Sequence, residues 1–203
     1  MKLRKIGKAL MNSLPVVTIA VLGVMAWNKQ QDSANARVDY EQANPNYASR
    51  PNSDRSSKHL KADRVLDGDT IKLANGETVR LCGIDAPEKS QPLGMESKAK
   101  LQQLIQQADN EVILVETERD RFGRIVGDVF VRNKASRNPD EEFFVNGEMV
   151  RSGMAYHYDR YSRNCSDRSA LETSEELAKS KKLGVWKGNH EKPWDFRRRQ
   201  RER

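Results

Sequence analysis

Three short segments concentrate the residue types with which a protein handles phosphate. Asp67-Gly68-Asp69-Thr70 sets two carboxylates around a glycine, and Arg80-Leu81-Cys82-Gly83-Ile84-Asp85-Ala86-Pro87-Glu88 carries an arginine, an aspartate and a glutamate across the end of a β-prone run. Asp120-Arg121-Phe122-Gly123-Arg124 places two arginines around an aromatic residue and a glycine. Each segment alone reads equally as a turn or a solvated charged loop. Together they hold what phosphodiester hydrolysis needs. The carboxylates of Asp69 and Asp85 are hard oxygen ligands suited to Ca²⁺ or a similar ion, which neutralises a phosphate and orients water. A glutamate positions or deprotonates that water, and two arginines fork onto phosphate oxygens as charge grows in the transition state. No Cys or His cluster has zinc-ligand spacing, and the phosphate-cradling GxxxxGK run of P-loop NTPases is missing. His157 and His190 read as packing or surface residues rather than ligands.

The elements that must position these residues are short. Val65–Leu66, Ile71–Leu73 and Val79–Leu81 are β-prone runs, with Asn75-Gly76 as the hairpin turn between the last two. Residues 94–108 switch to helical spacing, with Leu101, Leu104, Ile105 and Ala108 on one face. Residues 111–118 and 124–131 return to strand character, and a polar loop at 132–142 follows. Asn146 is placed to cap a short helix ending near Gly153. A last helix is expected over 168–182, stopped by Gly184, and no internal repeat is visible. About five strands with interspersed helices predict a small α+β domain.

These segments, in this order, resemble the staphylococcal nuclease (thermonuclease) family over about residues 61–187. The stretches that carry the resemblance are VLDGDTIKL, VRLCGIDAPE, DRFGR, VNGEMVRSGMA and KKLGVW. The resemblance implies an OB-fold, a five-stranded Greek-key β-barrel with about three helices. It implies Asp69, Asp85 and the backbone carbonyl of Ala86 as Ca²⁺ ligands, with Asp67 close behind them. Glu88 takes the place of the general base, and Arg80 and Arg124 take those of the phosphate-clamping arginines. The implied reaction is endonucleolytic cleavage of DNA and RNA that leaves 3′-phosphate ends. The alternative is a non-catalytic nucleic-acid-binding OB module, against which the retained Glu88 argues, because its charge opposes phosphate binding. A calcium-stabilised scaffold domain is a further alternative, disfavoured by the paired arginines. The family's two nucleotide-stacking tyrosines fall on Asp159 and Tyr161, leaving Tyr156 and Tyr158 either as substitutes or as packing residues. Arg121 stands in place of a lysine near the substrate. In the implied fold Cys82 faces the loop from Tyr161 to Cys165, so the two cysteines are expected to form a disulfide, two separate buried thiols being the alternative.

The ends of the 203-residue chain differ from its middle. The net charge of +7 is concentrated in residues 1–8 and 197–203, leaving the rest nearly neutral. Residues 9–28 are uncharged and apolar at their centre, and 1–28 read as a signal peptide or a single membrane anchor that puts the remainder on the non-cytoplasmic side. Residues 29–60 are polar, contain Pro45 and Pro51, and read as a disordered linker. Residues 188–203 read as a basic tail that either holds phosphate or is merely solvated. A monomer is expected.

Overall fold

Ile71 and Leu73, then Val79 and Leu81, lie two apart in the chain and are all buried, the alternation that turns one face of a strand inward. The computed structural model describes residues 57–203 apart from 135, 139 and 140. The signal or anchor segment, and the linker as far as residue 56, lie outside the described residues. Strands β1 (Ser57–Asp67), β2 (Thr70–Leu73), β3 (Thr78–Leu81), β5 (Glu111–Arg119), β6 (Ile125–Arg132) and β7 (Glu142–Phe144) form one sheet in the order β3-β2-β1-β5-β6-β7. A parallel pairing of β3 with β6, Val79 opposite Ile125 and Leu81 opposite Gly127, closes the first five strands into a barrel. That is the expected five-stranded OB architecture, with β7 added as a hairpin partner of β6.

β1 is long enough to serve both sides of the barrel. Its first half pairs with β5 and its second half with β2, and bulges at Ala62/Arg64 and Val65/Asp67 turn it between them. The strand begins at Ser57, four residues inside the segment expected to be linker. The polar residues Ser57, Lys58, His59 and Lys61 gave no apolar signal, but their backbones pair with residues 111–115 of β5. Beside the barrel, β4 (Ile84–Asp85) pairs with β8 (Tyr156–His157) and fixes Asp85.

Helix α1 (Gly94–Gln106) buries Leu101, Leu104 and Ile105 as their spacing predicts. Helix α2 (Val145–Arg151) starts one residue before the expected cap. Asn146 instead lies inside its first turn, fully buried, accepting from the Val129 N–H (3.0 Å) and donating to the Cys82 carbonyl (3.0 Å). Its amide thus ties the helix to the barrel. Helix α3 (Arg168–Ser180) is capped by Asp167, which accepts from the Ala170 N–H, and buries Ala170, Leu171 and Ala178. A fourth helix, α4 (Pro193–Arg201), occupies the segment read as a basic tail that either holds phosphate or is merely solvated. Pro193 at its first position needs no intrahelical donor and has φ preset for a helix. Among the described residues no helix is long and apolar enough to cross a membrane.

His157 belongs to packing, as expected. It is buried on β8, its Nε2 is 2.9 Å from the Ser162 hydroxyl, and burial holds its pKa below the ordinary value despite the nearby charges of Glu175, Asp159 and Glu172. As pH falls through about 6.5, the unfolded chain gains a proton that the folded imidazole resists. The stability present above that pH is therefore lost progressively on acidification towards the folded-state pKa. Urea midpoints of the wild type are expected to fall more between pH 7.5 and 5 than those of His157→Gln; equal falls would contradict this.

Candidate active site

The acidic floor of the site is built where β1 passes into β2 and where β3 passes into β4. Asp67 accepts from the Asp69 N–H (3.1 Å), which holds the turn. Gly68 between them has no room for a side chain, because a Cβ there would lie 1.9 Å from the Ser97 hydroxyl and 2.7 Å from the Ala86 Cβ. Asp69 is buried and accepts from the Ala86 N–H (2.7 Å) and the Thr70 hydroxyl (3.0 Å), so the two turns are locked to each other.

Two guanidinium groups bridge the carboxylates. Arg80, on β3 with only 16% of its side chain exposed, is ion-paired to Asp69 and donates to Asp85 Oδ1 (2.9 Å). Asp85 is completely buried and also takes a fork from Arg197 of α4, at 3.1 Å and 2.6 Å. The same Arg197 donates to Glu88 Oε1 (2.7 Å), whose side chain is 35% exposed. Asp69, Asp85 and Glu88 are thus strung together by Arg80 and Arg197. Burial holds the Arg80 guanidinium below its ordinary pKa, with the charges of Asp85 and Asp67 opposing, and it remains a cation. For Arg197 burial works in the same direction, but its hydrogen bonds to Asp85 and Glu88 outweigh it and raise the pKa. Behind Glu88, its N–H donates to Gln91 Oε1 (2.9 Å) and the Gln91 amide donates to the Glu191 carbonyl (2.9 Å). That contact joins the loop to the segment leading into α4.

A second wall comes from the turn between β5 and β6. Asp120 Oδ1 accepts from the N–H groups of Phe122 (2.9 Å) and Arg124 (3.0 Å), and its Oδ2 accepts from Arg124 Nε (2.7 Å). Gly123 takes the left-handed conformation (φ 77°) that closes the turn. Arg121 and Arg124 lie over the exposed Phe122 ring, at 4.8 and 5.6 Å from its centroid. A cleft of about 1010 Å³ opens between these parts, with Asp67, Asp69, Arg80, Ala86, Glu88, Arg121, Arg124, Tyr158 and Tyr161 among its lining residues.

Most residues singled out in the sequence therefore meet in one place. Asp85 lies under the cleft surface, reached through Arg80 and Arg197. Tyr161 exposes its ring to the cleft (56%), whereas one face of Tyr158 is covered by Trp194, stacked at 4.8 Å and 7°. Tyr156 is a core residue, edge-on to Trp186 and Trp194. Cys82 and Cys165 form a disulfide with Cα atoms 5.7 Å apart. Cys82 follows the end of β3, so the bridge joins the arginine-bearing strand to the Tyr161 loop. The only three-residue gathering of His, Cys, Asp or Glu side chains with ligand atoms within 4.8 Å among the described residues is Cys82, Asp128 and Cys165, and its sulfurs are consumed by the bridge. Sequence reasoning missed Trp194 and Arg197. The available signal was Pro193 at a helix start, followed by an aromatic residue and arginines three, four and seven positions on.

Barrel, bridged carboxylates and paired arginines define a small OB-fold protein with a charged cleft suited to phosphate chemistry. Residues 78–188 match the family described as Staphylococcal nuclease homologue. A micrococcal nuclease of Shigella flexneri is 38% identical over 139 residues, 66% of this chain and 78% of the relative. An uncharacterized endonuclease of Escherichia coli is 34% identical over 145 residues, 70% of this chain and 86% of the relative. A staphylococcal-like nuclease of Arabidopsis thaliana is 37% identical over 130 residues, 64% of this chain but only 36% of the relative. The matched region thus spans most of these bacterial relatives and little more than a third of the plant one. The chain belongs to the staphylococcal nuclease homologue family.

Proposed function

We propose that this protein is a Ca²⁺-dependent endonuclease that hydrolyses phosphodiester bonds of DNA and/or RNA and leaves 3′-phosphate ends. The observation that carries the reading is the convergence of Asp69, Asp85, Glu88, Arg80 and Arg124 about one cleft. The donor set fits a hard divalent cation, since it is made of carboxylate and carbonyl oxygens with no nitrogen or sulfur. Arg197, held by both Asp85 and Glu88, shows that a positive group is stable between these carboxylates. Asp69, Asp85 and the Ala86 carbonyl, with Asp67 behind them, would hold the ion, which would take the place of the Arg197 fork on Asp85 while Arg197 keeps its bond to Glu88. When bound it supplies Lewis-acid neutralisation of phosphate charge.

The protein's own groups do the rest. Arg80 and Arg124 donate to the non-bridging phosphate oxygens, and their hydrogen bonds strengthen as charge accumulates there. Glu88 takes a proton from the attacking water, whose oxygen bonds to phosphorus as the P–O5′ bond breaks. The departing 5′ oxygen takes a proton from solvent, giving a 5′-hydroxyl and a 3′-phosphate. Arg121 and Tyr161 hold neighbouring parts of the strand, with the edge of Tyr158 beside them. The domain acts as a monomer on the non-cytoplasmic side, secreted or anchored through residues 9–28, and the Cys82–Cys165 bridge supports an oxidising compartment.

The chemistry of the product ends tests the direction of cleavage. Fragments of single-stranded DNA are expected to accept a 5′ label from polynucleotide kinase without prior phosphatase treatment. Fragments that take the label only after phosphatase treatment would mean that the other P–O bond breaks, and would overturn this mechanism.

A further inference from the structure

Charge concentrated at the end of the chain is carried by the fold to the cleft. Trp194, Arg197, Arg198 and Arg201 stand at i, i+3, i+4 and i+7 on α4, hence on one face, and all four line the cleft. Two of them anchor the helix. Trp194 stacks on Tyr158, and Arg197 forks onto Asp85 and reaches Glu88. Arg198 and Arg201 are exposed, and the pairing of Arg198 with Asp195 within the helix is itself largely exposed. An ion pair so placed is worth little and yields readily to a phosphate.

The sign of the cleft's charge depends on this helix. Seven arginines line the cleft against five carboxylates, and three of the seven belong to α4. Without them four arginines would face five carboxylates, and the metal-free cleft would carry a net negative charge that opposes a polyanion. We propose that α4 is a substrate-binding wall, with Arg198 and Arg201 donating to backbone phosphates of a single nucleic-acid strand beside the scissile one, while Trp194 and Arg197 seat the helix. The exposed ring of Tyr161 in the same cleft offers a stacking face to an unpaired base, which favours a single strand over a closed duplex. This inference rests on the nuclease reading and extends it to a segment outside the matched residues 78–188.

The test is equilibrium binding of a fluorescein-labelled oligo(dT) strand to the full chain in EDTA, where cleavage does not intervene, over a series of salt concentrations. Removing two single-strand phosphate contacts with Arg198→Ala/Arg201→Ala is expected to make the slope of log K against log salt shallower by about 1.4 and to weaken binding about 25-fold near 0.1 M salt. Arg198→Lys/Arg201→Lys is expected to restore most of the slope, and all three proteins are expected to melt together. An unchanged slope in the alanine variant, with wild-type binding intact, overturns the wall and leaves the nuclease reading standing. No binding by the wild type in EDTA overturns the wall, while the nuclease reading is decided separately by cleavage of the same strand in Ca²⁺. A variant that loses only its affinity for phosphatidylglycerol vesicles makes the stripe a lipid contact and overturns the proposal.

Discussion

Arg124→Ala is expected to slow phosphodiester cleavage about a thousandfold, close to 4 kcal/mol of transition-state stabilisation. The magnitude follows from how fully the side chain is prepositioned. Asp120 holds Nε at 2.7 Å and the turn's backbone at 2.9 and 3.0 Å, and the Phe122 ring lies beneath the guanidinium. Its Asp120 partner is held below the ordinary carboxylate range; burial opposes this, and the Arg124 hydrogen bonds outweigh it. The remaining donors face a cleft where charge develops during reaction, so no reorganisation is needed at that moment. Arg124→Lys keeps the charge but loses the planar fork, and should recover only about tenfold of the loss. Because the residue sits on a surface turn, the melting temperature is expected to stay within a few degrees. The loss should fall on kcat, since the contact matters most as charge grows. A fall of less than tenfold would remove Arg124 from the reaction.

Loss of the Cys82–Cys165 bridge is expected to be the largest single blow to stability. It closes a loop of 83 residues, which in the chain-entropy account stabilises by about 4.5 kcal/mol. For a domain of this size that corresponds to a melting temperature lower by about 9–18 °C. Thermal melts of the wild type with and without reductant, beside Cys82→Ala/Cys165→Ala, check this. The variant should match the reduced wild type and ignore the reductant. A drop below about 3 °C would mean that the unfolded chain is constrained some other way. The bridge also fixes the loop carrying Tyr161 relative to the strand carrying Arg80. Reduction well below the melting temperature should therefore raise KM more than it lowers kcat.

The groups that meet in the cleft were legible where each is held by a turn of its own. Asp67 and Asp69, Asp85 and Glu88, and Asp120 and Arg124 each lie within a few residues of each other, and their glycines mark the turns. The helix over Gly94–Gln106 was equally plain, because its apolar spacing is local. Long-range partners were not. Arg197 bonds Asp85 across 112 residues, and nothing in a run of arginines says that a carboxylate pair waits for it. The start of β1 escaped notice because polar residues at a barrel edge pair through their backbone while their side chains face solvent. Asn146 read as a helix cap from its neighbours alone. Its actual partners, Val129 and Cys82, are supplied by the barrel.

The proposed hydrolysis is activated by Glu88 at a cation-dependent site. The most direct measurement is cleavage of heat-denatured DNA by the intact protein, with Ca²⁺ and with EGTA, beside Glu88→Gln. Fragmentation that requires Ca²⁺ and falls about a thousandfold in the variant is the predicted result. DNA left intact by the wild type in Ca²⁺, or cut equally fast by Glu88→Gln, would contradict it.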